Sequence, residues 1–139
     1  MTVGYSGTPL PTKLGIRDGG RVALLGAPDD LVLEPLAPGV RIGRRLSAGL
    51  DVVVLFVTRR ADYERRFDAV VAALTPAGGF WVAWPKKASG VTTDLTENVI
   101  RDIAIDRGLV DNKVCAIDDV WSGLRLVRRL RDRPGSTVS

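Results

Sequence analysis

Residues 51–84 read DVVVLFVTRRADYERRFDAVVAALTPAGGFWVAW, and this stretch decides the fold class. Asp51 to Thr58 carries six apolar residues in a row, rich in β-branched types that pack well on a pleated surface, as a central strand does. From Ala61 to Leu74 the period changes. Tyr63, Phe67, Val70, Val71 and Leu74 fall at helical spacing, with Arg60, Glu64, Arg65 and Asp68 left for water. Pro76 and Gly78-Gly79 stop the helix, and Phe80 to Trp84 (FWVAW) reads as another buried strand, ended by Pro85 because proline cannot donate to a ladder.

Upstream, Arg21 to Gly26 (RVALLG) is a further short apolar run, and Val40 to Leu46 (VRIGRRL) alternates apolar with basic residues, as a half-exposed edge strand does. Between them, Asp29 or Asp30 is expected to cap a short helix through Leu36 that Pro38-Gly39 ends. Thr8 as N-cap, Pro9 in the first turn and Gly15 as the αL stop predict a short helix near the start. Downstream, Asp94 and Glu97 form a capping-box-like pair ahead of Leu95, Val99, Ile100, Ile103 and Ala104, and Gly108 closes that helix. Val110 to Ile117 and Gly123 to Arg129 then make a hairpin across Asp118 to Ser122. The order of elements predicts an α/β, Rossmann-like three-layer sandwich: a mostly parallel sheet, helices on both faces, and an antiparallel C-terminal hairpin strand. A single domain over residues 1–131 and a mobile tail over 132–139 are expected.

Composition narrows the chemistry. At 139 residues with 45% hydrophobic and 26% charged side chains, the chain suits one globular domain. No run approaches the roughly 20 apolar residues of a membrane span, and Met1 to Leu10 has neither a basic head nor an apolar signal core. A cytoplasmic protein with no membrane partner is expected. The lone Cys115 excludes an internal disulfide and a multi-cysteine metal site, and reads as a small core residue. The lack of histidine removes histidine triads and most zinc enzymes, so no metal site is expected. A net charge of +4 permits an acidic partner; nucleic acid is compatible with it but not indicated. Only four of the 20 basic residues are lysine: Lys13, Lys86, Lys87 and Lys113.

In open α/β sheets, ligands gather outside the carboxyl ends of the strands. That rule gathers Gly26 to Asp29, Thr58 to Arg60, Trp84 to Gly90 and Asp118 to Ser122 on one rim, and the opening Gly4 to Thr8 should reach it too. The segment WPKKASGVTT (84–93) is the most suggestive, because paired ammoniums, small residues and hydroxyls favour a phosphate or carboxylate. Lys86 and Lys87 would supply charge, Ser89 and Thr92 hydrogen bonds, and Tyr5 and Trp121 apolar walls. Ser6, Asp118 and Ser122 complete the candidate set, and no catalytic residue is assigned. Plainer readings stand beside each of these. The lysines suit a solvated loop, Asp118 and Asp119 suit a turn whose backbone donors they satisfy, and Asp118 could instead pair with Lys86, Lys87 or Lys113. Gly26-Ala27-Pro28 is a poor dinucleotide or S-adenosylmethionine loop: it has one glycine, Pro28 removes a donor, and the following strand ends at Arg44-Arg45 rather than at an acid for ribose. No cofactor is expected.

The residues GYSGTPL (4–10), KLGI (13–16), RVALLGAP (21–28), WPKKASGVTTDLTE (84–97) and VDNKVCAIDDVWSGLR (110–125) resemble the bacterial family called domain of unknown function 3052, found mainly in high-GC Gram-positive (actinobacterial) species. That family brings no established activity or cofactor. More distantly, DVVVLFV, the helix after it and LTPAGGFWVAW (74–84) resemble the second half of class I methyltransferases, in which the last strand inserts antiparallel between its two predecessors. The resemblance implies the sheet order 40–46, 21–26, 51–58, 80–84, 123–129, 110–117. The resulting expectation is a non-catalytic binding or regulatory protein whose rim takes an anionic small molecule or a partner's acidic group. The alternatives are a methyltransferase-like enzyme with an atypical loop at Gly26, and an interaction module acting through Arg44-Arg45 or the Arg125 to Arg133 stretch.

Overall fold

Six strands and three α-helices form in the computed structural model of the chain, which describes residues 7–132. In chain order they are α1 (Leu10–Lys13), β1 (Arg21–Leu25), β2 (Arg41–Gly43), β3 (Leu50–Phe56), α2 (Arg60–Ala73), β4 (Leu74–Pro85), α3 (Glu97–Asp106), β5 (Leu109–Ala116) and β6 (Trp121–Arg128). Short 3₁₀ turns cover Lys87–Ser89 and Leu130–Asp132. The strands make one sheet in the order β2-β1-β3-β4-β6-β5, which is the order the methyltransferase resemblance implies. β2, β1, β3 and β4 run parallel, and β6 is antiparallel to both β4 and β5.

Alternation along the strands sorts the core into two halves. Val53, Leu55, Phe80 and Val82 face Tyr63, Phe67 and Val70 of α2 and Ile100, Ile103 and Ala104 of α3. Each large side chain buried there is worth about 1.5–3 kcal/mol relative to exposure. Tyr63 joins the two helices: its hydroxyl donates to the Ile100 carbonyl at 2.9 Å, and its ring packs on Phe67 and Phe80. Val52, Val54, Phe56, Trp81 and Ala83 point the other way, against Leu14 and Ile16 just after α1 and against Ala27, Leu31, Leu33 and Val40. Both long helices therefore lie on one face, and the third layer is made by α1 and irregular chain. The Trp81 indole N–H donates to the Leu14 carbonyl at 3.0 Å, pinning that layer to the sheet.

Several local expectations are corrected. No helix forms over residues 29–36. Pro35 and Pro38 lack donors and push the residue before each out of the α region, so the segment runs extended, with Leu31 and Leu33 turned inward and Val32 outward. β2 ends at Gly43 rather than Leu46 and is exposed throughout. Only residues 44–49 remain to return the chain past β1 to the start of β3, and six residues reach at most about 20 Å, so a longer β2 could not be connected. β4 starts at Leu74, not Phe80: Leu74 pairs with Leu50, and the register then slips so that Gly79 faces Val52. The α1 cap is Pro9 with no side-chain bond, rather than Thr8. Thr96, not Asp94, caps α3 by accepting from the Val99 N–H at 3.2 Å. Asp94 instead accepts from the Arg60 N–H at 2.7 Å, supplying α2 with the N-terminal acceptor that Arg59 lacks. Of the expected tail, only Asp132 falls within the described residues.

Candidate functional site at the carboxyl rim

The antiparallel ladder between β4 and β6 brings the double-lysine loop and the final turn together. Trp84 faces Ser122 and Pro85 faces Trp121, and just beyond Pro85 the Lys86 N–H donates to the Val120 carbonyl at 2.7 Å. Lys86 is half-buried, while Lys87 and Thr92 are exposed. Among the described residues no carboxylate pairs with either ammonium.

The loop is held from within. The Ser89 hydroxyl donates to the Lys86 carbonyl at 2.6 Å and accepts from the Val91 N–H at 3.2 Å, which closes the 3₁₀ turn ahead of Gly90 in the left-handed region. The Thr93 hydroxyl donates to the Thr58 carbonyl at 2.6 Å and accepts from the Leu95 N–H. With the Asp94 bond to Arg60, these contacts fasten the segment after the lysines to the entrance of α2. Ser89 thus spends its hydrogen-bonding capacity on the loop itself.

Asp118 does the same for the hairpin. Its Oδ1 accepts from the Val120 and Trp121 N–H groups, each at 2.8 Å, an arrangement in which a short acid replaces the backbone acceptor of a turn. The alternative pairing of Asp118 with a lysine does not form among the described residues: its Oδ1 serves the turn, and the Lys113 ammonium donates to the Lys13 carbonyl instead. Trp121 is half-buried, its ring edge-on to Phe56 with centroids 5.2 Å apart, so it closes the end of the core as much as it walls the rim. Ser122 is half-buried beside it. Tyr5 and Ser6 lie outside the described residues. Removing the Asp118 acceptor should loosen this corner: Asp118→Ala is expected to cost about 1–2 kcal/mol in urea denaturation, with amide shifts confined to residues 84–90 and 117–122. An unchanged midpoint would mean the turn does not depend on that carboxylate.

Gly26 has φ +70°, and a Cβ there would come within 3.0 Å of the Phe56 carbonyl. Packing of β1 against β3 thus accounts for this glycine, and no helix follows it before β2. Lys113, one of the possible partners of Asp118, and Arg125 sit mid-strand and line a cleft at the opposite, amino-terminal edge of the sheet. Cys115 is half-buried on β5, and burial pushes its thiol above the ordinary range. Among the described residues no group of three or more histidines, cysteines or acids could hold a metal ion, and no helix is long and apolar enough to cross a membrane.

No protein-family model and no curated protein matches the chain. Solved structures do. An S-adenosylmethionine-dependent methyltransferase from Aquifex aeolicus superposes with a TM-score of 0.59 at 8% identity, over 83% of this chain and 85% of that one. TrmN from Thermus thermophilus superposes with a TM-score of 0.54 at 11% identity, over 86% of this chain and 47% of that one, so the chain spans about half of TrmN. At such identities the likeness concerns architecture alone: the chain has a methyltransferase-like α/β fold.

Proposed function

We propose that the chain is a cytoplasmic, non-catalytic binding or regulatory protein that uses this fold to present an anion-recognising rim. The observation that carries the reading is the Lys86-Lys87 pair, anchored by the Lys86 N–H to Val120 bond and paired with no carboxylate among the described residues. Two lysines on a loop whose backbone is fixed at the carboxyl edge of the sheet would supply point charges for a phosphate or carboxylate, on a small molecule or on a partner's acidic segment. Thr92, exposed beside them, offers a hydroxyl, and Ser122 and Trp121 form the neighbouring wall. Ser89 and Asp118 act as positioning residues, and Tyr5 and Ser6 complete the proposed set. The motifs WPKKASG and DNKVCAID are the basis for placing the chain with domain of unknown function 3052.

A thermal-shift and calorimetric screen of phosphorylated metabolites, followed by the Lys86→Ala/Lys87→Ala double variant, tests this. The variant should fold with an unchanged Tm and bind at least ten-fold more weakly than the wild type. Failure of every anion to bind, or equal binding by the double variant, would remove the reading.

The second reading is methyl transfer, favoured by one observation: β6 inserts antiparallel between β4 and β5, as the class I resemblance implies. Its donor loop would have to be the single-glycine Gly26-Ala27-Pro28 turn. Retention of S-adenosylmethionine through gel filtration, with a raised Tm, would favour it over the rim-binding reading.

A further inference from the structure

A cleft of about 710 Å³ opens where α1 and the chain after it cross the amino-terminal edge of the sheet. Four cationic residues line it: Lys13 and Arg17 from the α1 side, Lys113 from β5 and Arg125 from β6. Two acids, Asp18 and Asp51, share the lining, and Asp51 already accepts from the Arg21 N–H at 2.9 Å. The walls therefore carry a net of two positive charges.

Two features of the lining concentrate its positive charge. Lys113 and Arg125 are register partners across the antiparallel β5–β6 pair, so like charges stand directly opposite on one face, an arrangement that ordinarily costs stability. The β5 irregularity between Asp111 and Lys113 sets that register. Gly79 also lies beneath the Arg125 side chain: a Cβ there would fall 2.5 Å from Nε and 3.0 Å from Cζ. A bare strand position thus lets the guanidinium lie against the sheet at the cleft. Lys113 is drawn to the same place, its Nζ donating to the Lys13 carbonyl at 2.9 Å. The concentration of positive charge is built in by a glycine, a register shift and a hydrogen bond.

We propose that this cleft is a second ligand site, separate from the rim, that binds a phosphate monoester of a hydroxyl-bearing small molecule such as a sugar phosphate or a nucleoside monophosphate. A phosphate monoester carries about −1.5 to −2 charges at neutral pH, matching the net charge of the lining. The planar Arg125 fork suits two phosphate oxygens, and the ammoniums act as point charges beside it. The carboxylates of Asp18 and Asp51 accept hydroxyl hydrogens from the rest of the ligand. The volume falls within the range of about 300–1,000 Å³ typical of small-molecule sites.

The test is amide chemical-shift mapping on the full chain with AMP, glucose 6-phosphate, inorganic phosphate, adenosine and glucose. Both esters should shift residues 15–20, Gly78, Gly79 and Asn112, with adenosine and glucose at least ten-fold weaker. Lys113→Gln and Arg125→Gln should each weaken AMP at least ten-fold, while Arg65→Gln, on the exposed side of α2, should leave it unchanged. Lys113 is exposed, so its variant keeps the test open if the Arg125 change unfolds the protein. Shifts centred on residues 84–90 and 118–122, wild-type affinity in the variants, or phosphate binding as tightly as its esters would each overturn the assignment. A failed rim with a responsive cleft, or the reverse, separates this site from the one proposed above.

Discussion

Trp81→Ala is expected to lower the stability of the protein by about 3–5 kcal/mol, the range for emptying a large aromatic site. Trp81 is fully buried in β4, on the face that carries no long helix. Its ring packs against Gly123, where a Cβ would lie 3.0 Å from Cε3, and its N–H holds the Leu14 carbonyl. Deleting it opens a cavity and also releases the layer formed by Leu10, Leu14 and Ile16. Trp81→Phe separates the two effects: most of the volume stays, the hydrogen bond goes, and the loss should be about 1–2 kcal/mol. Urea denaturation measures both. A loss below about 1 kcal/mol for the alanine variant would mean that this layer does not seal the core.

The second large effect is alkaline. Burial pushes the Tyr63 hydroxyl well above the tyrosine range, with Arg107 pulling it partly back and Glu64 adding slightly to the rise. The folded state therefore keeps the proton where the unfolded chain, at about pH 10, gives it up. The Tyr63 contribution is full below that pH and is lost as pH rises through it, by up to about 1.4 kcal/mol per pH unit. Tyr63→Phe removes this slope. At neutral pH the variant should cost about 1 kcal/mol for the lost bond to Ile100, yet the gap to wild type should close or reverse above pH 10. Burial raises Cys115 as well, but both proteins carry it, so the difference isolates the tyrosine. Parallel pH–stability curves would show that the hydroxyl reaches water.

The parts of the fold legible in the sequence are those governed by periodicity. The apolar run within Asp51 to Thr58 and the FWVAW run of Phe80 to Trp84 read as central strands, and the spacing of Tyr63, Phe67 and Val70 reads as the helix between them; the structure has all three, with the first strand ending at Phe56. The expectation of a helix at 29–36 failed because a good cap at Asp29 or Asp30 counts for less than Pro35 and Pro38 downstream of it. At the rim, the meeting of Lys86 with the 118–122 turn followed from strand direction. The use of Ser89 and Asp118 did not, because a hydroxyl or carboxylate next to a turn serves the backbone whenever its geometry allows, and composition cannot reveal that choice. The cleft was hidden because its lining comes from five separate segments. Gly78-Gly79 reads as a helix stop, and the opposition of Lys113 to Arg125 appears only once the β5 slip is known.

The unequal cover of the sheet also decides where the molecule gives way first. On one side α2 and α3 lock together through Tyr63, and Arg107 reaches from the end of α3 over the Phe67 ring to the Glu64 carbonyl. On the other, residues 27–40 form no helix or strand and rest on a few inward-turned side chains. Thermal fluctuations will peel that side long before the helical one, as sparsely bonded chain opens at lower free energy than the core it covers. The protein thus has a hard back and a soft front, and the second site proposed above, beneath α1 at the amino edge, lies on the soft front.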